Sequence, residues 1–152
     1  MKKLLFTLCI VHKNPLVLLG MKKRGFGHGR WNGFGGKVAD KESIENSAKR
    51  ELKEEAGIIC SDIKEQGVLT FKLDTMPELI EVHVFKVSDF QGEPVETEEM
   101  KPQWFKVNEI PYNQMWPGDK HWLPFLLNDK NFRGYFHFKD INTLLDYKIE
   151  EV

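Results

Sequence analysis

GGKVADKESIENSAKRELKEEAGI, residues 35–58, opens on a glycine loop and then changes period. Ile44, Ala48, Leu52 and Ala56 recur every four residues, the spacing that stacks apolar side chains along one stripe of an α-helix. Ser43 stands where an N-cap belongs, with Asn46 in place of the Glu or Gln of a full capping box. Gly57 falls at the left-handed position just past a helix end. On such a helix Glu51, Glu54 and Glu55 are neighbours on one side, near the end where the dipole disfavours anions. Each like-charged neighbour pair costs roughly 0.2–0.5 kcal/mol on an exposed helix. Arg50 reaches Glu54 at i, i+4, and Lys53 adds a second compensating charge. A divalent cation compensates further, because Mg²⁺ binds a few carboxylates and completes its shell with water and phosphate oxygens. From these residues alone two readings stand: a solvated acidic face, or the floor of a metal site.

Before this helix, glycines at 25, 27, 29, 33, 35 and 36 interleave with Phe26, Trp31 and Phe34, and follow the basic run Lys22, Lys23, Arg24. Such a loop bends sharply or lets its backbone approach something closely. No GK[ST] follows Gly27-His28-Gly29, so this is not a Walker A loop, and it is a poor dinucleotide fingerprint. Alternating apolar runs predict strands over 4–12 and 16–21, separated by a turn at His12-Lys13-Asn14-Pro15. Further strands are predicted over 63–71, 79–87, 103–107, 133–138 and 143–149, with a polar turn at Gln91-Gly92 and a second helix over 120–127. Strands with two helices make an α/β layered domain, taken as one unit over residues 1–152.

Composition narrows the function classes. With 41% hydrophobic and 30% charged residues the chain reads as soluble and globular. A net charge of -1 implies no long-range attraction to nucleic acid or to an anionic membrane. The start, MKKLLFTLCIVHK, has a short apolar run holding Thr7 and Cys9 and no small-residue cleavage site, so a first strand is expected rather than a signal peptide. No stretch approaches the roughly 20 apolar residues of a membrane span. Cys9 and Cys60 are too few for a disulfide framework or a cysteine zinc site, and both are expected reduced and semi-buried in a cytosolic protein. The histidines lack ligand-pair spacing. A monomer is expected.

Gly36, Glu42, Arg50-Glu51-Leu52, Glu54-Glu55 and Gly57-Ile58 resemble, at every specified position, the Nudix box GX5EX7REUXEEXGU with U aliphatic. The resemblance implies an α/β/α sandwich around a mixed sheet and hydrolysis of a nucleoside diphosphate linked to another moiety, with Mg²⁺ (Mn²⁺ substituting) held by the box glutamates. It makes Glu51, Glu54 and Glu55 the metal set, with the Gly36 carbonyl beside them and Glu99, in ETEEM, as an added carboxylate. Glu42 and Arg50 would hold the loop against the helix, Arg50 steering a carboxylate. The identity of the general base stays open.

The flanks TLCIV, GMKKRGFGHGRWNGFGGKV, EVHVF, MWPGDKHWLPFLL and GYFHF resemble the branch of this family that acts on oxidised purine nucleoside triphosphates. That implies cleavage of substrates such as 8-oxo-dGTP and 2-hydroxy-dATP to the monophosphate and pyrophosphate, in the cytoplasm with a nuclear or mitochondrial fraction. By the same resemblance Trp116 is the platform on which a base stacks, worth about 1–3 kcal/mol. Phe26 and Phe71 line the pocket, Asn32 and Asp119 read the base edge, Thr7 and Lys22 lie toward sugar and phosphate, and Trp122 and Phe138 shape the wall. From the residues alone, Phe71, Phe138, Trp116 and Trp122 are equally core side chains, and Asn32 equally a turn residue beside Gly33. One departure stands out: the branch usually carries adjacent aspartates after Trp-Pro, where this chain has Gly118-Asp119. Losing an acid would narrow the range of bases, weaken binding, or shift preference toward other modified purines such as a 2-hydroxy- or N6-methyl-adenine, as in N6-methyl-dATP. An ADP-sugar, a dinucleoside polyphosphate or a capped RNA end would be rival substrates, and a catalytically weak nucleotide-binding module the rival class.

Overall fold

The computed structural model describes residues 2–152. Eight strands and two α-helices follow in the order β1 (Lys3–Lys13), β2 (Leu16–Lys22), β3 (Trp31–Asn32), α1 (Ile44–Ala56), β4 (Lys64–Leu73), β5 (Leu79–Val87), β6 (Met100–Lys106), α2 (Asp119–Leu127), β7 (Phe132–Asp140) and β8 (Thr143–Glu151). The sheet runs β3-β2-β1-β5-β4-β7-β8, with β6 on the other edge of β2. β1 with β5 and β4 with β7 are parallel, and the other pairs antiparallel, so the sheet is mixed as expected. No described helix is long and apolar enough to cross a membrane.

Strand alternation divides the buried side chains between two faces. Cys9, Val11, Leu18, Phe85 and Val87 pack under the α1 stripe of Ala48, Leu52 and Ala56. Ile10, Val17, Leu19 and Val84 point the other way, onto Trp122, Leu123 and Leu126 of α2 and the phenylalanines of β7. The helices therefore cover opposite faces, an α/β/α sandwich. Helix α1 begins where the sequence places it: Ser43 Oγ accepts from Asn46 N at 3.1 Å. It ends at Gly57, whose φ of 71° is the left-handed conformation that glycine adopts freely. Cys9 and Cys60 are both free and buried, deeper than the semi-buried sites expected.

The feature that builds the site is a wedge. β1 and β2 pair only through Val11–Lys13 and Leu16–Leu18, then diverge. The segment from Trp31 to Val38 fills the gap. Trp31 and Asn32 pair with Met21 and Gly20. Phe34 exchanges backbone hydrogen bonds with Cys9 at 2.6 and 3.0 Å, Thr7 N donates to Gly36 O at 2.9 Å and Val38 N donates to Leu5 O at 2.9 Å. Gly35 permits this insertion, since a Cβ there would stand 1.9 Å from the Thr7 carbonyl oxygen. The expected loop is thus partly a strand of the sheet, with the two-residue β3 too short to show as alternation.

Candidate active site

Helix α1 turns Glu51 and Glu55 toward the wedge. Glu55 is buried, 5% exposed, although helical counting puts it on the polar side. Its Oε1 accepts from Gly35 N at 2.8 Å, and its Oε2 lies 3.9 Å from Lys22 Nζ. Burial raises its pKa to about 7; Gly35 N–H and Lys22 pull it back, while Glu51 and Glu99 push it further up. Burial also raises the Glu51 carboxyl, against the lowering effect of Arg50. The Lys22 charge acts on Glu51, Glu55 and Glu99 alike.

Arg50 organises the outer part of this end. Its Nε and Nη2 donate to the two carboxylate oxygens of Glu42 at 2.7 and 3.0 Å, a bidentate pair across the loop–helix junction. Its Nη1 donates to Glu51 at 2.9 Å and to Glu54 at 3.2 Å. Glu42 thereby aims the guanidinium that orients two box glutamates. Replacing Glu42 by Gln is expected to keep the fold and to weaken divalent-cation affinity about 10-fold or more, by analogy with outer-shell groups at metal sites; a cation titration followed by the rise in Tm measures it.

The metal set expected from the sequence is not gathered into one ligand shell. Among the described residues no group of three or more acidic, histidine or cysteine side chains converges closely enough to hold an ion. Mutually repelling carboxylates turn to the cations within reach: Glu51 and Glu54 to Arg50, and Glu99 to Arg24, whose Nη2 donates to it at 2.6 Å. The Gly36 carbonyl accepts from Thr7 N at 2.9 Å and from Thr7 Oγ1 at 3.5 Å. The chemistry of the set nonetheless fits a divalent cation. Its donors are hard oxygens, and Glu55 is a buried acid near neutrality whose anionic form needs positive charge.

Next to Glu55 opens a cavity of about 360 Å³, within the range of small-molecule sites. Its lining includes Thr7, Lys22, Phe26, Asn32, Phe71, Trp116, Asp119, Trp122 and Phe138, together with Gly36 and Glu55. Arg50, Glu51, Glu54 and Glu99 lie outside that lining. Asp119 is buried at the start of α2. Its Oδ1 accepts from Trp122 Nε1 at 3.0 Å, while its Oδ2 has no protein partner. Burial raises the Asp119 pKa to about 7, opposed by the Trp122 hydrogen bond, the Trp116 backbone and the Arg30 charge. Asn32 Oδ1 accepts from Gly33 N at 3.0 Å, so the turn role is real and leaves the amide NH₂ for another partner. Trp122 and Phe138 are core and wall at once, each 1% exposed. Phe26 is 59% exposed and sits at the mouth, its ring 5.1 Å from that of Trp116. Gly118 caps α2, and a Cβ there would meet the Phe136 ring at 2.9 Å, so an aspartate at this position requires that ring to move.

Sequence reasoning missed Leu8, Leu69, Met76, Ile80 and Val82, which supply much of the aliphatic wall. Leu8 belongs to the same face of β1 as Ile10, and Val82 to the same face of β5 as Val84, so alternation carried the signal once that face was known to hold a cavity.

Comparison with known proteins agrees with this fold. The family model for the NUDIX domain matches residues 5–126. The oxidized purine nucleoside triphosphate hydrolase of Mus musculus is 50% identical over 148 residues, covering 97% of this chain and 95% of the relative. Its namesake from Danio rerio is 47% identical over 148 residues, with the same coverage of both chains. Among solved structures, a MutT protein from Bacillus halodurans superposes with a TM-score of 0.86 at 30% identity, covering 97% of both chains.

Proposed function

Because the chain belongs to the Nudix family, we propose that it hydrolyses oxidised or otherwise modified purine nucleoside triphosphates, such as 8-oxo-dGTP and 2-hydroxy-dATP, to the monophosphate and pyrophosphate. The observation that carries this reading is a single cavity with base-reading groups and a buried box glutamate in one lining. Trp116 offers the stacking surface. The partnerless Oδ2 of Asp119 and the Asn32 amide offer hydrogen bonds to a base edge, and a base that leaves either buried group unpaired is discriminated against. With Gly118 beside it, Asp119 is, among the described residues, the only carboxyl lining this end of the cavity, and the range of accepted bases is correspondingly narrow.

At the other end Lys22 and Thr7 take the phosphate and sugar side. Glu51, Glu54 and Glu55, with the Gly36 carbonyl and Glu99 at the margin, would hold Mg²⁺, Mn²⁺ serving in its place. When bound, the cation neutralises phosphate oxygens and favours attack by water. Glu42 and Arg50 fix the acidic side chains, Gly35 N–H and Lys22 orient Glu55, and the carboxylates of this end accept the proton of the attacking water. Water adds to phosphorus as the phosphoanhydride bond breaks, releasing pyrophosphate. The reading takes the protein as one domain, acting as a monomer on the cytoplasmic nucleotide pool, where removing mispairing purines precedes polymerisation.

Pyrophosphate release from dGTP, 8-oxo-dGTP, dATP, 2-hydroxy-dATP and N6-methyl-dATP, and AMP release from ADP-ribose, test it with Mg²⁺ present. A modified purine triphosphate is expected to exceed its unmodified parent in kcat/KM by about 10-fold or more. Activity confined to ADP-ribose overturns the base assignment, and inactivity on every compound overturns the hydrolase.

A further inference from the structure

We infer that Arg30 is a positioning residue for base recognition, bracing the indole of Trp116 and tying it to the β7–β8 turn. The inference rests on the purine-binding reading of the cavity. Trp116 lines the cavity, and Arg30 contacts that ring without being part of the lining. Arg30 Cζ lies 4.5 Å from the centroid of that ring. The other edge of the guanidinium is fully used: Nη1 donates to Ile141 O at 2.8 Å and Nη2 to Asn142 Oδ1 at 2.5 Å. The turn is itself held, since Asn142 N donates to Asp140 Oδ1 at 2.9 Å. The Arg30 backbone is fixed too, its N–H donating to Gly27 O at 3.1 Å and its carbonyl accepting from Lys22 N at 3.0 Å.

Three chain segments that make no sheet contact with one another therefore meet on one planar cation: the β2–β3 loop, the approach to α2 and the β7–β8 turn. A planar fork can stack with its face while donating with its edge, which a lysine ammonium cannot do. Besides the Gly27 backbone and the core it packs on, the aromatic neighbours of the indole are Phe26, which is largely exposed, and the edge of Phe138 at 6.2 Å, so Arg30 is its one charged and tethered contact among them. A base stacking on a mobile indole loses part of its binding to the cost of ordering the ring. Arg30 touches neither the acidic helix nor any oxygen of the metal end, so the chemical step is outside its reach.

Arg30→Met keeps the stem and removes both the charge and the fork, and Arg30→Lys keeps the charge alone. Two readouts apply. In the amide and indole ¹H–¹⁵N spectrum of the protein without nucleotide, the Trp116 indole resonance, identified by its loss in Trp116→Phe, is expected to move in Arg30→Met while those of Trp104 and Trp122 stay. With the best purine triphosphate, KM is expected to rise ~5–20-fold, the weight of a partly desolvated cation–π contact, with kcat changed less than about 2-fold. Arg30→Lys is expected to fall between wild type and Arg30→Met. Asn142→Ala cuts one tie from outside and raises KM in the same direction by about 2-fold, which keeps the test available if Arg30→Met folds poorly. An unmoved indole resonance, an unchanged KM, a fall in kcat at constant KM, or a fall in KM would each overturn the brace. If wild type shows no purine preference, the functional reading fails on its own, and the indole resonance still decides whether Arg30 holds Trp116.

Discussion

Glu55→Gln lowers kcat by about 10²–10³-fold or more, the scale of removing one fixed electrostatic group from a reacting centre. The substitution is nearly isosteric, and the glutamine carbonyl still accepts from Gly35 N, so the 2.8 Å contact that seats the side chain is kept. What is lost is the buried negative charge. In the protein without cation that charge is a burden, because burial pushes the Glu55 carboxyl up to about 7. The variant is therefore expected to be at least as stable as wild type at pH 8 before cation is added. Wild type gains Tm on adding millimolar Mg²⁺, whereas Glu55→Gln gains little, since a ligand that binds only the folded state stabilises in proportion to its affinity. Stability retained together with lost activity and a lost cation shift is the expected pattern. Unchanged kcat removes Glu55 from the chemistry, and a large loss of stability makes it a structural residue instead.

Asp119→Asn acts at the other end of the cavity and has a thermodynamic signature. The folded carboxyl has a pKa of about 7 against an ordinary 3.8, chiefly through burial, so the folded chain holds this proton more tightly than the unfolded chain. The stability it contributes is complete below the ordinary value and is lost as pH rises through about 7, beyond which the folded state carries the buried charge. Between pH 5 and pH 8, wild type is expected to lose about 2–4 kcal/mol more than Asp119→Asn in urea unfolding. Parallel pH profiles of the two proteins would show that Asp119 does not bury a charge. At pH 8, where the carboxyl is ionised, the same variant is expected to raise KM for the preferred modified purine about 10-fold or more, because it replaces an oxygen that accepts with a nitrogen that only donates. A KM that stays put removes Asp119 from base recognition whatever its titration.

Helix α1 was legible in the sequence because its signals are local: the four-residue apolar period, Ser43 at one end and Gly57 at the other. The longer strands were legible for the same reason, with ends displaced by up to three residues where pairing partners extend them; β6 begins at Met100 because Lys22 on β2 supplies a partner there. The wedge was not legible. Whether a glycine loop stays outside a sheet or enters it depends on two distant strands diverging, and β3 is two residues long. The burial of Glu55 was hidden for a related reason, since a different segment folds across the side of the helix that its own sequence marks as polar. Likewise ETEEM marks Glu99 as acidic and says nothing of Arg24, which lies 75 positions earlier and holds it.

The wedge between β1 and β2 also sets a length. Asn32 at one end faces the cavity, Gly35 N–H at the other seats Glu55, and the chain between them is pinned to β1 by hydrogen bonds in both directions. At about 3.3 Å per extended residue, the stride from Asn32 to Gly36 cannot exceed about 13 Å. On the proposed reading it would act as a gauge block: a molecule would be measured from its flat ring to its anionic tail against a bar of backbone pinned to β1. Selection by this bar is selection by span, independent of which hydrogen bonds the ring offers. A molecule with the right ring and an inserted spacer would then be rejected at the acidic helix, where its scissile bond arrives out of register.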